Sequence, residues 1–111
     1  MPEGVARRVM VFLTEDDVYA HHTVAEELLR RAREGGIAGA TVWRGVEGFG
    51  ANGHLRAARL PDLARGLPLI VEVIDDEASI ERFLAYVDEV AEGSLVTSEE
   101  VNIARSPATT S

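Results

Sequence analysis

Gly35-Gly36-Ile37-Ala38-Gly39-Ala40-Thr41-Val42-Trp43-Arg44-Gly45-Val46-Glu47-Gly48-Phe49-Gly50 is the stretch from which the fold can be worked out. Its two opening glycines stop a helix, because glycine enters the left-handed region without a Cβ clash. From Ala40 to Gly48 the alternation suits a strand, with Thr41, Trp43, Gly45 and Glu47 on one face. Ala40, Val42, Arg44, Val46 and Gly48 fall on the other. Gly45 weakens a strand unless it relieves a close approach or marks a bulge. Gly48-Phe49-Gly50 then releases the chain into a polar connection over 51–67, punctuated by Asn52-Gly53, Pro61-Asp62 and Gly66. Connections of this length in a small domain are usually functional or mobile. Part of this one, His54 to Arg59, suits an extended return of a hairpin.

On the N-terminal side, Arg7 to Thr14 reads as a strand with Val9, Val11 and Leu13 alternating with Met10 and Phe12. Both faces are largely apolar, which predicts a central position. Glu15-Asp16-Asp17 ends it, and a loop continues to His21-His22. Thr23-Val24-Ala25-Glu26 has capping-box spacing. Val24, Ala25, Leu28, Leu29 and Ala32 follow at helical spacing, while Glu27, Arg30, Arg31 and Arg33 are assigned to water. On the C-terminal side, Pro68 to Asp75 predicts a third strand and Asp76 a cap. A second helix carries Ile80, Phe83, Leu84, Val87, Val90 and Ala91 and ends at Gly93. Leu95-Val96 and Val101 to Ile103 are two short extended segments.

The resulting order is strand, helix, strand, strand, helix, strand. Two βαβ halves joined by a hairpin give an α+β, ferredoxin-like βαββαβ sandwich, with both helices on one face of an antiparallel sheet. The other face is left bare, so a homo-oligomer that buries it is expected. Residues 1–105 form one domain, and 106–111 a flexible tail.

The chain has 111 residues and 46% hydrophobic content, enough for one two-layer core. It has no cysteine, hence no disulfide, thiol nucleophile or cysteine metal site. No apolar run approaches the ~20 residues of a membrane span. Met1-Pro2-Glu3-Gly4 lacks the basic start of a signal peptide. A cytoplasmic location is the expectation. The net charge is -8, and Arg82 is the sole base between residues 72 and 100. Such a surface repels a phosphate backbone, so nucleic acid is not an expected partner.

Arg44, Arg56, Arg59 and Arg65 stand closest in sequence to the Gly48-Phe49-Gly50 exit. Arginine's planar fork suits phosphate or carboxylate, although scattered solvated charge is the simpler account of each one singly. Glu15-Asp16-Asp17 has the oxygen ligands of a hard-cation site, yet such runs more often precede a helix N-terminus, whose dipole favours acids. His21, His22 and His54 lack metal-ligand spacing. Serine and threonine cluster in the tail without a triad partner, and no enzyme class is indicated.

Gly36-Ile37-Ala38-Gly39-Ala40-Thr41-Val42, then Arg44-Gly45-Val46-Glu47-Gly48-Phe49-Gly50, resembles the signature of the PII-like family catalogued as domain of unknown function 190. So does Glu15-Asp16-Asp17 after the first strand, and the likeness continues through Leu67-Pro68-Leu69-Ile70-Val71-Glu72-Val73-Ile74-Asp75 to about residue 103. A wider resemblance to PII signalling proteins lies in the Gly-x-Thr-Val strand running into Gly-Phe-Gly at the base of their T-loop. It implies a ferredoxin-like trimer with ligand clefts between subunits and a T-loop that contacts a target. By position, Thr41, Gly48, Phe49 and Gly50 match the cleft lining, and 51–67 the T-loop. This chain has one residue more than the PII pattern between Thr41-Val42 and Gly48. In place of the glycine- and lysine-containing phosphate loop after the second helix it has Glu92-Gly93-Ser94-Leu95-Val96-Thr97-Ser98-Glu99-Glu100.

The expectation is a cytoplasmic, non-enzymatic, PII-like signalling trimer that binds a small anionic effector, with a nucleotide as the candidate class. Thr41, Gly48, Phe49 and Gly50 would line the cleft, and Arg44, Arg56 and Arg59 would meet the charge. The resemblance implies a protein target such as a membrane transporter, without insertion into the membrane itself. The alternatives are a metal-binding, metal-tolerance trimer like the CutA branch of the same superfamily and, third, an uncatalogued nucleotide-acting enzyme using the same cleft.

Overall fold

The computed structural model describes residues 4–45, 47–48, 56–57 and 66–107. Along the chain run β1 (Gly4–Thr14), β2 (Val18–Tyr19), β3 (His22–Thr23), α1 (Val24–Glu34) and β4 (Ala40–Arg44). Then come β5 (Glu47–Gly48), β6 (Arg56–Ala57), β7 (Pro68–Asp75), α2 (Glu77–Val90) and β8 (Leu95–Ile103). The main sheet has the order β4-β7-β1-β8, and every neighbouring pair is antiparallel. Without the short hairpins this is the ferredoxin-like sandwich, and β1 is central as its two apolar faces require.

Register decides which side chains meet the helices. Val11 stands opposite Val71 and Val96, and Val9 opposite Val73 and Ser98. Directly opposed residues share a face, so Val9, Val11, Leu13, Leu69, Val71 and Val73 make one apolar floor. Val24, Ala25, Leu28 and Ala32 of α1 and Ile80, Phe83, Val87 and Val90 of α2 lie on it. Each fully buried side chain of this size is worth about 1.5–3 kcal/mol. Leu29, placed on the same stripe by spacing, is instead among the exposed apolar residues.

The helix ends are built as the sequence suggests. Thr23 Oγ1 accepts the Glu26 N–H at 3.1 Å. At the far end Gly36 takes φ 75°, and the N–H groups of Gly36 and Ile37 donate to Arg33 and Ala32 at 3.3 and 3.0 Å. That is a Schellman stop, with Ile37 packed into the core behind it. Asp76 caps α2 by accepting the Ser79 N–H at 2.8 Å, a bond that holds its carboxyl below the ordinary range. The buried Asp75 accepts from the N–H groups of Ala38 and Asp76, both at 2.8 Å, which ties the α1–β4 connection to the end of β7.

Three local features depart from the sequence reading. The loop after β1 contains the β2–β3 hairpin, turned by Ala20 and His21 at φ 48° and 74°. Positive φ at both central positions normally calls for Asn-Gly, so no sequence signal announced it. β8 is one nine-residue strand rather than two short pieces. Its polar middle survives because an edge strand needs only one paired side: Ser98 Oγ accepts from Arg7 at 2.9 Å, and Glu99 pairs with Arg8. The second predicted strand is divided, since β4 ends at Arg44 and β5 pairs with β6, inside the expected hairpin return. Of the expected tail, Ser106 and Pro107 are described, and 108–111 lie outside the described residues.

Glu27 is also not where spacing put it: it is buried rather than facing water. Its carboxylate accepts from Arg30 and from Arg31 Nε, the latter at 2.8 Å, while Arg31 reaches Glu89 of α2 at 2.8 Å and lies over the Tyr19 ring. The hydrogen bonds from Arg30 and then Arg31 lower the Glu27 carboxyl from 4.5 to about 2. A depressed carboxyl contributes stability that is present above its unfolded value and lost as pH falls through the folded one. Glu27→Gln should therefore be less stable than the parent chain at pH 7. The gap between their urea midpoints should close as pH drops from 4.5 to about 2. A gap that stays constant over that window would contradict the assignment.

Candidate functional site

β4 and β7 are the stems of the connection singled out in the sequence. One residue beyond β4 the Gly45 N–H still donates to the Pro68 carbonyl, at 2.7 Å. A Cβ on Gly45 would stand 3.0 Å from Pro68 Cβ and 3.2 Å from its Cγ, so any side chain here would have to push the Pro68 ring aside by a few tenths of an ångström. On the other side of β7, the Glu15 N–H donates to the Leu67 carbonyl at 3.0 Å. The Glu15 carboxylate meets Arg44 Nη2 at 2.8 Å. One acid thus touches the residue that ends the first stem and the residue that precedes the second.

The predicted site residues are partly gathered and partly separated. Arg44 opposes Leu69, whose side chain is in the core, and so belongs to the helix side of the sheet. Thr41 opposes Glu72 and belongs to the uncovered side, so Thr41 and Arg44 are not on one face. Gly48 and Arg56 are brought opposite each other in the β5–β6 ladder. Phe49, Gly50 and Arg59 lie outside the described residues, as do His54 and Arg65.

The acidic run does not converge on a point. Glu15 goes to Arg44, while Asp17 Oδ2 accepts from the Thr14 N–H at 2.7 Å. The Asp16 N–H donates to Thr14 Oγ1 at 3.2 Å. Among the described residues, no group of three or more His, Asp or Glu side chains gathers as metal ligands. His22 Nδ1 lies 3.7 Å from Glu26 on the following helix.

The uncovered face carries a feature that spacing alone could not show. Trp43 opposes Ile70, Ile70 opposes Phe12, and Phe12 opposes Leu95, forming one apolar row across all four strands. Trp43 is 54% exposed, Phe12 37% and Leu95 63%. The next row is Thr41, Glu72, Met10 and Thr97, and beyond it Arg8 pairs with Glu99 and stands 3.9 Å from Glu72. The apolar row therefore lies at the end of the sheet nearest the two stems.

At the same end of the molecule, α2 is followed by a short turn in which the Ser94 N–H donates to the Ala91 carbonyl at 3.1 Å. Leu95 to Glu100, aligned by sequence with the PII phosphate loop, belong to β8 instead. A shallow groove beside the turn is lined by apolar residues together with Asp17 and Glu92, and offers carboxylates rather than cations to a phosphate. No described helix is long and apolar enough to cross a membrane. The stem contact gives a direct test: Gly45→Ala should destabilise the chain by about 1–3 kcal/mol through overpacking against the Pro68 ring. Chemical denaturation measures this, and an unchanged midpoint would mean that the stems are not held at this distance.

Residues 6–103 match the family model DUF190, Uncharacterized ACR. The UPF0166 protein of Aquifex aeolicus (strain VF5) is 38% identical over 93 residues, covering 84% of this chain and 88% of that protein. Among solved structures, CPII bound to ADP and bicarbonate, from Thiomonas intermedia K12, superposes with a TM-score of 0.63 at 19% identity. That match covers 91% of this chain and 90% of the other. The Bacillus subtilis GlnK–ATP complex gives a TM-score of 0.56 at 12% identity, covering 91% and 85%. At these identities the structural matches establish the shared fold.

Proposed function

The chain belongs to the DUF190 family and has the fold of PII-like proteins, and from this we propose that it is a PII-like regulatory protein acting as a homotrimer. The observation that carries the proposal is the row Trp43, Ile70, Phe12 and Leu95, an apolar strip next to the loop stems that the chain's own helices do not cover. Packing this face against further copies removes it from water and brings the stems of one copy near the sheet of another. A cleft formed there receives a small anionic effector, and a nucleotide is the class we favour. The solved CPII and GlnK structures described above hold ADP and ATP respectively.

In this proposal Arg44 supplies charge at the rim of the cleft, and Thr41 and the backbone near Gly48 line its wall. Phe49, Gly50, Arg56 and Arg59 complete it from the sequence pattern. Effector binding biases the 51–67 connection between conformations and so alters contact with a protein target. The function is regulatory rather than catalytic, and the setting is the cytoplasm. The altered turn after α2 means that phosphate recognition relies on arginine and not on the lysine loop of PII proteins.

Light scattering tests the assembly: a mass three times the 12.0 kDa chain is expected. Trp43→Glu should shift it towards one chain, because it places an unpaired charge on the buried strip. A thermal-shift series with AMP, ADP and ATP tests the effector, with about 2.7 kcal/mol of stabilisation expected at 100 times the dissociation constant. A stable single chain in solution would refute the cleft, and a divalent metal that stabilises where nucleotides do not would move the assignment to metal binding.

A further inference from the structure

Glu15 is the point at which the two stems are held together. Its backbone N–H donates to the Leu67 carbonyl at 3.0 Å, and its carboxylate Oε1 lies 2.8 Å from Arg44 Nη2. Arg44 ends β4 and Leu67 immediately precedes β7. β4 and β1 are not neighbours in the sheet, because β7 runs between them. The ion pair therefore bridges the head of β7, while the Gly45-to-Pro68 hydrogen bond closes the stems directly.

Glu15 itself stands on a constructed turn. The Asp17 N–H donates to the Thr14 carbonyl at 3.2 Å, and the Asp17 carboxylate accepts the Thr14 N–H in return at 2.7 Å. The two partners of the bridge differ in exposure: the Arg44 side chain is 67% exposed and that of Glu15 24%. Solvent reaches the cation freely, whereas the acid is tucked against the stems. A carboxylate already sits at one bonding direction of the guanidinium, the geometry in which a planar donor also receives a phosphate or carboxylate ligand.

We infer that Glu15 is a built-in counter-anion for Arg44 and the positioning residue of both loop stems. An anionic ligand that engages Arg44 through this direction must displace the Glu15 carboxylate, and the same event loosens the residue whose N–H anchors Leu67. Ligand arrival at one stem is thereby transmitted to the other through a single residue, whose side chain meets Arg44 and whose backbone N–H holds Leu67. The ligand half rests on the effector reading proposed above, but the bridge between the stems does not.

ADP binding by calorimetry and amide exchange by NMR, on the full chain with Glu15→Gln and Arg44→Gln, separate the two halves. Glu15→Gln should bind ADP about twofold to fivefold more tightly, the factor corresponding to release from an exposed ion pair. In Arg44→Gln, exchange at the Glu15 amide should accelerate by a similar factor, as it should in the parent chain on adding ADP. Equal or weaker ADP binding by Glu15→Gln overturns the counter-anion role. If the parent chain binds no ADP, the effector assignment fails, and exchange in Arg44→Gln decides the bridge alone: acceleration supports it and an unchanged rate refutes it.

Discussion

A four-stranded sheet has two faces, and two helices can cover only one. Everything distinctive in this chain follows from how the β1 register divides residues between those faces. Val9 and Val11 go under the helices with Val71 and Val73, while Phe12 goes to the other side with Ile70. Because side chains alternate with period two, a one-residue slip of β1 would turn its two sets over, carrying Arg8 beneath the helices and Val9 and Val11 to the bare face. The core and the bare apolar row are thus enforced by the same pairing.

Charge is used mainly to position structure. Glu27 gathers Arg30 and Arg31, and Arg31 continues to Glu89 and to the Tyr19 ring, so one network joins both helices to the β2–β3 hairpin. A separate pair, Glu15 with Arg44, does the same for the ends of β1 and β4. Arginine suits this work because its fork makes several directed hydrogen bonds at once. In a pair whose arginine is open to solvent, as in Arg44–Glu15, the energetic contribution is small, which favours placement over stability as its role.

Most of the fold was legible because it rests on local chemistry. The Thr23 and Asp76 caps, the Gly36 stop and the strand Pro68–Asp75 all follow from residue type and spacing. What stayed hidden depends on long-range register. Glu27 looks like a solvated acid until two arginines of its own helix and the neighbouring helix enclose it. Likewise Thr97 to Glu100 look like a loop until β1 supplies the pairing that makes them a strand. The candidate site was legible in part: Gly45 within a strand signals either a close approach or a bulge, and Pro68 is the residue it approaches. The Glu15–Arg44 contact spans non-adjacent strands, for which no sequence spacing exists.

β8 closes one margin of the sheet, and its two adjacent acids, Glu99 and Glu100, have a consequence for solubility. A nine-residue outer strand offers main-chain donors and acceptors to any other extended segment, which is the usual route to fibrils and precipitates. Two copies aligned along this margin would bring Glu100 of each together, Glu99 being already paired with Arg8, and that repulsion raises the cost of such stacking. The polar run that disguised the strand in the sequence is thus also its gatekeeper against uncontrolled growth of the sheet.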